Sequence, residues 1–261
     1  MAQPPGCRGG QASSHGRYQV ILARRVALVT GAGRRVGKAI ALALAEQGAH
    51  VAVHYNASRE GAEETAAEIR KRGGEATLFA GDLSSAAGPA DLVERVASEV
   101  GELHALVNSA GVMLRTPLGE VTMEQWDSMM AVNLRAPFFA SQAAAKVMGR
   151  GAAIVNIADL AAYETWPAYI PHGISKAGVV QMTRALARTL GPNIRVNAVA
   201  PGVVMLPDGW APDTADRLAS TTPLKRVGSP HDVAEAVLYL LHAEFVTGET
   251  IIVDGGRHVR H

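Results

Sequence analysis

From Val26 onward, short β-branched apolar runs alternate with longer stretches of helical periodicity, the pattern of a parallel sheet covered on both faces. The runs predict strands at Val26–Thr30, His50–His54, Ala76–Ala80, Ala105–Val107, Ala153–Ile157, Ile194–Val199 and Thr250–Val253. Between them the periodicity predicts helices over Val36–Gln47, Arg59–Arg72, Pro89–Val100, Met123–Met148, Ile174–Leu190 and His231–His242. No linker, repeat or low-complexity stretch divides this interior, so the pattern predicts one α/β domain over residues 26–261 with a doubly wound, seven-stranded parallel sheet.

Residues 1–25 fall outside the pattern: they hold no acid, carry Arg8, Arg17, Arg24 and Arg25, and are rich in Gly, Ser and Gln. Two readings stay open, a flexible N-terminal extension or an organelle-targeting segment. The charge balance, 25 Lys+Arg against 24 Asp+Glu, gives no global field for nucleic acid or an acidic membrane, and favours a small, locally recognised ligand. No apolar stretch approaches the ~20 residues of a membrane span. A soluble, cytoplasmic protein is expected, and the single cysteine, Cys7, shows no dependence on disulfides.

The first predicted strand runs into Thr30-Gly31-Ala32-Gly33-Arg34-Arg35-Val36-Gly37 and then an alanine-rich helix. Glycines between a strand and a helix allow a tight turn and close backbone approach to a pyrophosphate, whose charge the free N–H groups of the helix N-terminus receive. This predicts a Rossmann-type dinucleotide site. The spacing T-G-x-x-x-R-x-G resembles that of the short-chain dehydrogenase/reductase family, and further segments match in register. The resemblance implies that Asp82-Leu83 contacts adenine, that Asn108-Ser109-Ala110-Gly111 is the segment after the fourth strand, and that Pro201-Gly202 is the nicotinamide-side turn. It assigns Asn133 and Lys176 as the family's helix asparagine and helix lysine.

NAD selectivity normally rests on a carboxylate at the end of the second strand, which accepts hydrogen bonds from the ribose 2′-hydroxyl. Here that end is His54-Tyr55-Asn56-Ala57-Ser58, without an acid. NADP(H) is the expected cofactor, its extra phosphate meeting Arg35 together with His54 and Ser58, since a guanidinium grips phosphate bidentately. Arg34 is either a further cofactor contact or ordinary surface charge, and His54 and Tyr55 have an alternative as satisfied strand-end residues.

The family's chemistry is hydride transfer coupled to proton transfer through a tyrosine four residues before the lysine, a spacing that places both on one helix face. In this chain that position is His172, and the family's serine position is Asp159. Pteridine reductases also carry aspartate there, and the chain resembles them in Arg35, the His54–Ser58 strand end, Asn156-Ile157-Ala158-Asp159, Thr247-Gly248 and Val253-Asp254-Gly255-Gly256-Arg257. It departs from them at Met113, where an aromatic ring stacks on the pterin. The resemblance implies an NADPH-dependent reductase of a pterin or another small conjugated C=N or C=O substrate. The other class of reading is a catalytically weak NADPH-binding module, a cofactor sensor or partner-binding protein.

Three readings of His172 remain. It acts as the proton donor, Asp159 favouring its charged form and Lys176 disfavouring it; or Tyr169 supplies the hydroxyl; or the site binds ligands and reduces slowly or not at all. Tyr163, Trp166 and Tyr169 form either an aromatic substrate wall or packing under the loop, and Met205, Leu206 and Trp210 occupy a variable lid with Gly202 and Gly209 as pivots. The nine histidines show no metal-ligand spacing, so no metal centre is expected; His231 and His242 are assigned to a helix surface, His258 and His261 to an exposed tail. By analogy with the family, a homotetramer is expected through the Met123–Met148 and Ile174–Leu190 helices.

Overall fold

The computed structural model describes residues 22–205 and 214–259. Leu206, Gly209, Trp210 and His261 lie outside them, as do residues 1–21. The strands are β1 (Val26–Val29), β2 (His50–Tyr55), β3 (Glu75–Ala80), β4 (Leu103–Asn108), β5 (Ala152–Ile157), β6 (Ile194–Pro201) and β7 (Thr250–Val253). All pair parallel, in the order β3-β2-β1-β4-β5-β6-β7. The order reverses between β1 and β4, the switch point at whose carboxyl ends open α/β sheets bind ligands.

The helices are α1 (Arg35–Glu46), α2 (Arg59–Lys71), α3 (Gly88–Glu99), α4 (Met123–Met130), α5 (Ala136–Val147), α6 (Ile170–Leu190), α7 (Thr214–Ser220) and α8 (Pro230–His242). On one sheet face Ile40 and Leu44 of α1 share a core with Val237 and Leu240 of α8. On the other, Leu92 and Val96 of α3 meet the alanines of α5, Ala136, Ala140, Ala143 and Ala144. Each fully buried leucine or isoleucine here contributes about 1.5–3 kcal/mol of transfer free energy.

Three boundaries differ from the sequence expectation for physical reasons. Leu22 is 4% exposed within the first core, and the Arg24 amide donates to the Gly48 carbonyl, so the fold takes in residues 22–25 that composition assigned to the extension. The expected helix Met123–Met148 is divided by a π-helical turn, Ala131–Arg135. Pro137 lacks an amide donor and its ring crowds the carbonyl four residues back, that of Asn133, and one widened turn relieves both. The expected helix from Ile174 starts at Ile170, because Pro171 sits in its first turn, where a missing N–H costs nothing. His172 is therefore a first-turn residue. α7 had no counterpart in the pattern.

Candidate active site

Thr30 at the end of β1 ties the switch point together. Its hydroxyl oxygen accepts from the amides of Ser109 (2.9 Å) and Ala110 (3.0 Å), fastening the segment after β4 to the glycine turn. Gly31 has φ +67°, and a Cβ there would lie 2.9 Å from the Ala110 Cα. A Cβ on Gly37 would lie 2.2 Å from the Gly31 carbonyl oxygen. Arg34 is the N-cap of α1, exposed and extended, and its side chain does not cap the helix. No side chain caps the first turn of α1, where helix amides suit an anionic group. Val36 packs partly against the first core. The bare turn, the uncapped helix and the close Gly111 backbone fit a dinucleotide.

His54 follows the second of its two expectations, a satisfied strand-end residue, and not the phosphate ligand. The Gly31 amide donates to its Nδ1 at 3.1 Å, so Nε2 carries the proton and donates to the Gly81 carbonyl at 3.1 Å. With both ring nitrogens used and only 2% exposure, His54 buttresses the glycine turn and is not presented to a phosphate. Burial lowers its pKa to about 4; the Gly81 bond opposes the shift and Arg95 adds to it. Because the folded value lies below the ordinary 6.5, the unfolded chain binds more protons as pH falls from 6.5 to 4. Wild type should lose about 3 kcal/mol of stability from this group across that window. Urea unfolding at pH 7, 5.5 and 4.5 checks this, and an His54→Asn variant with the same acid sensitivity would refute it.

Arg35 also differs from expectation. It holds φ +53°, a left-handed conformation that swings its side chain away from a helical residue's course, and its Nη2 donates to the Met205 carbonyl, 170 residues on, at 3.3 Å. It reaches the loop after β6. At the end of β2 Arg34 remains exposed, Asn56 is exposed with a 3.5 Å contact to Asp82, and Ser58 packs against Gly33. Tyr55 packs partly on the core. The Asp82 carboxylate is held by the amide and hydroxyl of Ser84, which lower its pKa. Leu83 belongs to the second core, so its side chain is not available to adenine. Asn108 likewise serves the scaffold: its Nδ2 donates to Asn156 (2.8 Å) and Ser141 (3.2 Å), and Asn156 donates to Thr183, joining β4 and β5 to α5 and α6.

The resemblance-assigned catalytic residues do converge. Asn133, in the π turn, clamps Val112 from both sides: its Oδ1 accepts from the Val112 amide and its Nδ2 donates to the Val112 carbonyl, both at 2.8 Å. The same Nδ2 reaches the Ser175 hydroxyl at 3.1 Å. Lys176 is 6% exposed, and its Nζ donates to the Ile157 carbonyl at 2.8 Å. Burial pushes its pKa below the ordinary value, with the Asp159 charge opposing. Gly111 lies against this pair, a Cβ there being 3.3 Å from Asn133 Oδ1 and 3.6 Å from Lys176 Nζ.

His172 is 3% exposed. Its Nδ1 lies 3.3 Å from the Val112 carbonyl and its Nε2 lies 3.5 Å from Asp159 Oδ2, an ion-pair distance without hydrogen-bond alignment. Asp159 also caps the 3-10 turn Leu160–Ala162, its Oδ1 accepting from the Ala161 amide at 2.8 Å.

Tyr169 is the N-cap of α6 and packs edge-on against Trp166, ring centroids 6.3 Å apart. Trp166 in turn donates to Glu164, whose carboxylate Arg257 grips through Nε and Nη2 at 3.1 and 2.9 Å. Trp166 and Tyr169 therefore form packing anchored to the C-terminal segment, whereas Tyr163 and Met113 are exposed, 44% and 45%. No sequence spacing announces the Glu164–Arg257 pair, 93 residues apart. His231 lies exposed on α8, as expected. His258 is exposed, as expected, and is fastened by its amide and Nδ1 to the buried Asp254 carboxylate. Gly202 packs on the same aspartate, where a Cβ would meet the Asp254 Cβ at 2.7 Å, and Pro201 ends β6. No helix among the described residues is long and apolar enough to cross a membrane.

A doubly wound sheet with a glycine turn at its switch point and a buried lysine at the facing strand ends defines a dinucleotide-dependent oxidoreductase of the Rossmann class. A family model described as enoyl-(acyl carrier protein) reductase matches residues 31–258. The chain is 37% identical over 244 residues to a granaticin polyketide synthase putative ketoacyl reductase from Streptomyces violaceoruber, covering 90% of this chain and 96% of that one. It is 34% identical over 240 residues to a 3-oxoacyl-(acyl-carrier-protein) reductase from Staphylococcus epidermidis, covering 89% and 98%. Among solved structures, an angucycline C-6 ketoreductase with bound NADP superposes with a TM-score of 0.86 at 35% identity, covering 92% and 97%. The chain belongs to the short-chain dehydrogenase/reductase family.

Proposed function

We propose that the protein is an NADPH-dependent reductase of a small carbonyl or conjugated C=N compound. The observation that carries this is the buried Lys176 beside Gly111, together with Asn133 and the Asp159–His172 contact at the same strand ends. Bound NADPH would supply hydride from its nicotinamide ring. The turn at Gly31–Gly37 and the amides of α1 would hold its pyrophosphate, Lys176 its nicotinamide ribose, and Arg34 with Asn56 and Ser58 its extra phosphate, in place of the Arg35 and His54 set that the sequence suggested. Asn133 keeps Val112 fixed, and Met113 and Tyr163 offer exposed apolar surface to a substrate.

The names of the relatives favour a ketone, of the 3-oxoacyl or aromatic polyketide kind; the pterin reading rests on Asp159 and the subfamily pattern alone. Loss of NADPH absorbance with a 3-oxoacyl thioester, an aromatic polyketide ketone, dihydrobiopterin, dihydrofolate and a quinone tests the reading. No turnover of any of these despite NADPH binding would favour the sensor module instead.

A homotetramer is also proposed. Phe138 and Phe139 of α5 are 40% and 39% exposed and lie with Met130, Leu134 and Met182 around one apolar hollow. Sedimentation equilibrium should give four times 27.3 kDa, and a monomer mass would reject this assembly.

A further inference from the structure

The His172 contact with Val112 fixes more than a distance. A backbone carbonyl can only accept, so the Nδ1 of His172 carries the proton that it donates to Val112. The remaining nitrogen, Nε2, is buried, makes no hydrogen bond, and lies 3.5 Å from Asp159 Oδ2. A bare lone pair facing a carboxylate is doubly unfavourable, as an orphaned buried acceptor and as a repulsive contact. One proton between the two groups removes both penalties. The pair differs in access: the side chain of His172 is 4% exposed and that of Asp159 is 25% exposed. Asp159 Oδ1 is occupied by the Ala161 amide, which leaves Oδ2 as the oxygen facing His172.

We propose that Asp159 and His172 hold one proton in common, with Asp159 the catalytic residue that delivers it to substrate and His172 the positioning residue that stores it. The proposal rests on the reductase reading above. As the substrate carbon receives a hydride, the C=O π pair moves onto oxygen, and that oxygen forms its O–H bond as the Asp159 O–H bond breaks. The pair is left as a carboxylate and a neutral imidazole protonated on Nδ1. A solvent proton entering at the exposed carboxylate recharges it and is stored on Nε2 between turnovers. Among the described residues, Lys176, from the same helix, is the other charged group at the pair; Asn133 and Val112, packed against it, are neutral. Imidazole is shorter than phenol, and a carboxyl group standing in front of it restores the reach that a tyrosine would have.

The pairing is tested on the full chain without added cofactor, carrying 15N-labelled histidine. An Nε2-bound proton of His172, assigned by its loss in His172→Asn, should be observed at neutral pH and should vanish in Asp159→Asn, which keeps an oxygen for the Ala161 amide. Its absence in wild type, or its survival in Asp159→Asn, overturns the pairing whether or not any compound is reduced. With a substrate that is turned over, Asp159→Asn should lower kcat by about 100-fold or more and His172→Asn by about 10-fold. KM should stay within about threefold for both variants. A larger loss in His172→Asn overturns the assignment of Asp159 as the group that touches substrate. A panel with no turnover overturns the reductase reading and leaves the nitrogen-bound proton to decide the pairing.

Discussion

Lys176→Met should lower kcat/KM by about 10²- to 10³-fold while the protein stays folded. The ammonium is a buried cation beside Gly111 that donates to the Ile157 carbonyl, and the Asp159 charge favours its protonated form. A methionine fills nearly the same volume and spares the cost of burying a charge, so the substitution removes electrostatics and leaves packing. The Ile157 carbonyl loses a donor, a penalty of about 1–3 kcal/mol, which the avoided desolvation of the ammonium offsets in part. A melting temperature within a few degrees of wild type is therefore expected alongside weaker NADPH binding. Activity within tenfold of wild type would mean that this lysine is a scaffold residue and that proton and cofactor handling lie elsewhere. Steady-state rates, NADPH fluorescence titration and thermal melts on one preparation separate the outcomes.

The parts of this site that were legible in the chain are those where chemistry-bearing residues stand at fixed spacing on one element. The glycine turn between β1 and α1, the four-residue step from His172 to Lys176, and Asp159 just beyond β5 are of this kind, because strand and helix periods convert sequence distance directly into direction. Their neighbours were not legible. His54 at the end of β2 reads equally as a phosphate ligand or a satisfied strand-end residue, and the choice falls to the second because Gly31 and Gly81, from two other loops, are brought to its ring only by the fold. The course of Arg35 was not legible either, because a left-handed backbone angle leaves no mark on composition. Asn108 and Leu83 were assigned to cofactor by motif, and the structure spends their side chains on the polar network beneath α5 and on the core.

The helices behave in the same way. Periodicity runs straight through Met123–Met148 because apolar positions persist across the π turn; the single informative residue is Pro137, four positions after Asn133. That turn and the clamp on Val112 depend on each other. A regular helix through Asn133 would rotate its amide away from Val112, and Val112 would then no longer be held to accept from His172. The device that supports the proton pair is therefore the one feature of α4 and α5 that a helical wheel conceals.

Gly37→Ala should invert an ordinary expectation. In a helix interior alanine is more favourable than glycine by about 1 kcal/mol, and Gly37 lies inside α1. Its Cβ would, however, lie 2.2 Å from the Gly31 carbonyl oxygen and 3.1 Å from the Ala32 Cα, atoms of a backbone turn that cannot rotate aside. Gly31 is itself held at φ +67° and within 2.9 Å, measured from its missing Cβ, of Ala110, so moving it disturbs the Thr30 bonds to Ser109 and Ala110 as well. The overlap should outweigh propensity and destabilise the protein by about 1–3 kcal/mol. Displacing the turn should also raise the NADPH dissociation constant by about 100-fold. At a concentration of 100 times the wild-type constant, NADPH stabilises wild type by about 2.7 kcal/mol, and the variant should gain only about 0.4 kcal/mol. Urea unfolding with and without NADPH measures both terms. A variant as stable as wild type that keeps the full ligand-induced gain would mean that the turn does not press on α1, and the assignment of the pyrophosphate to this loop would fall with it.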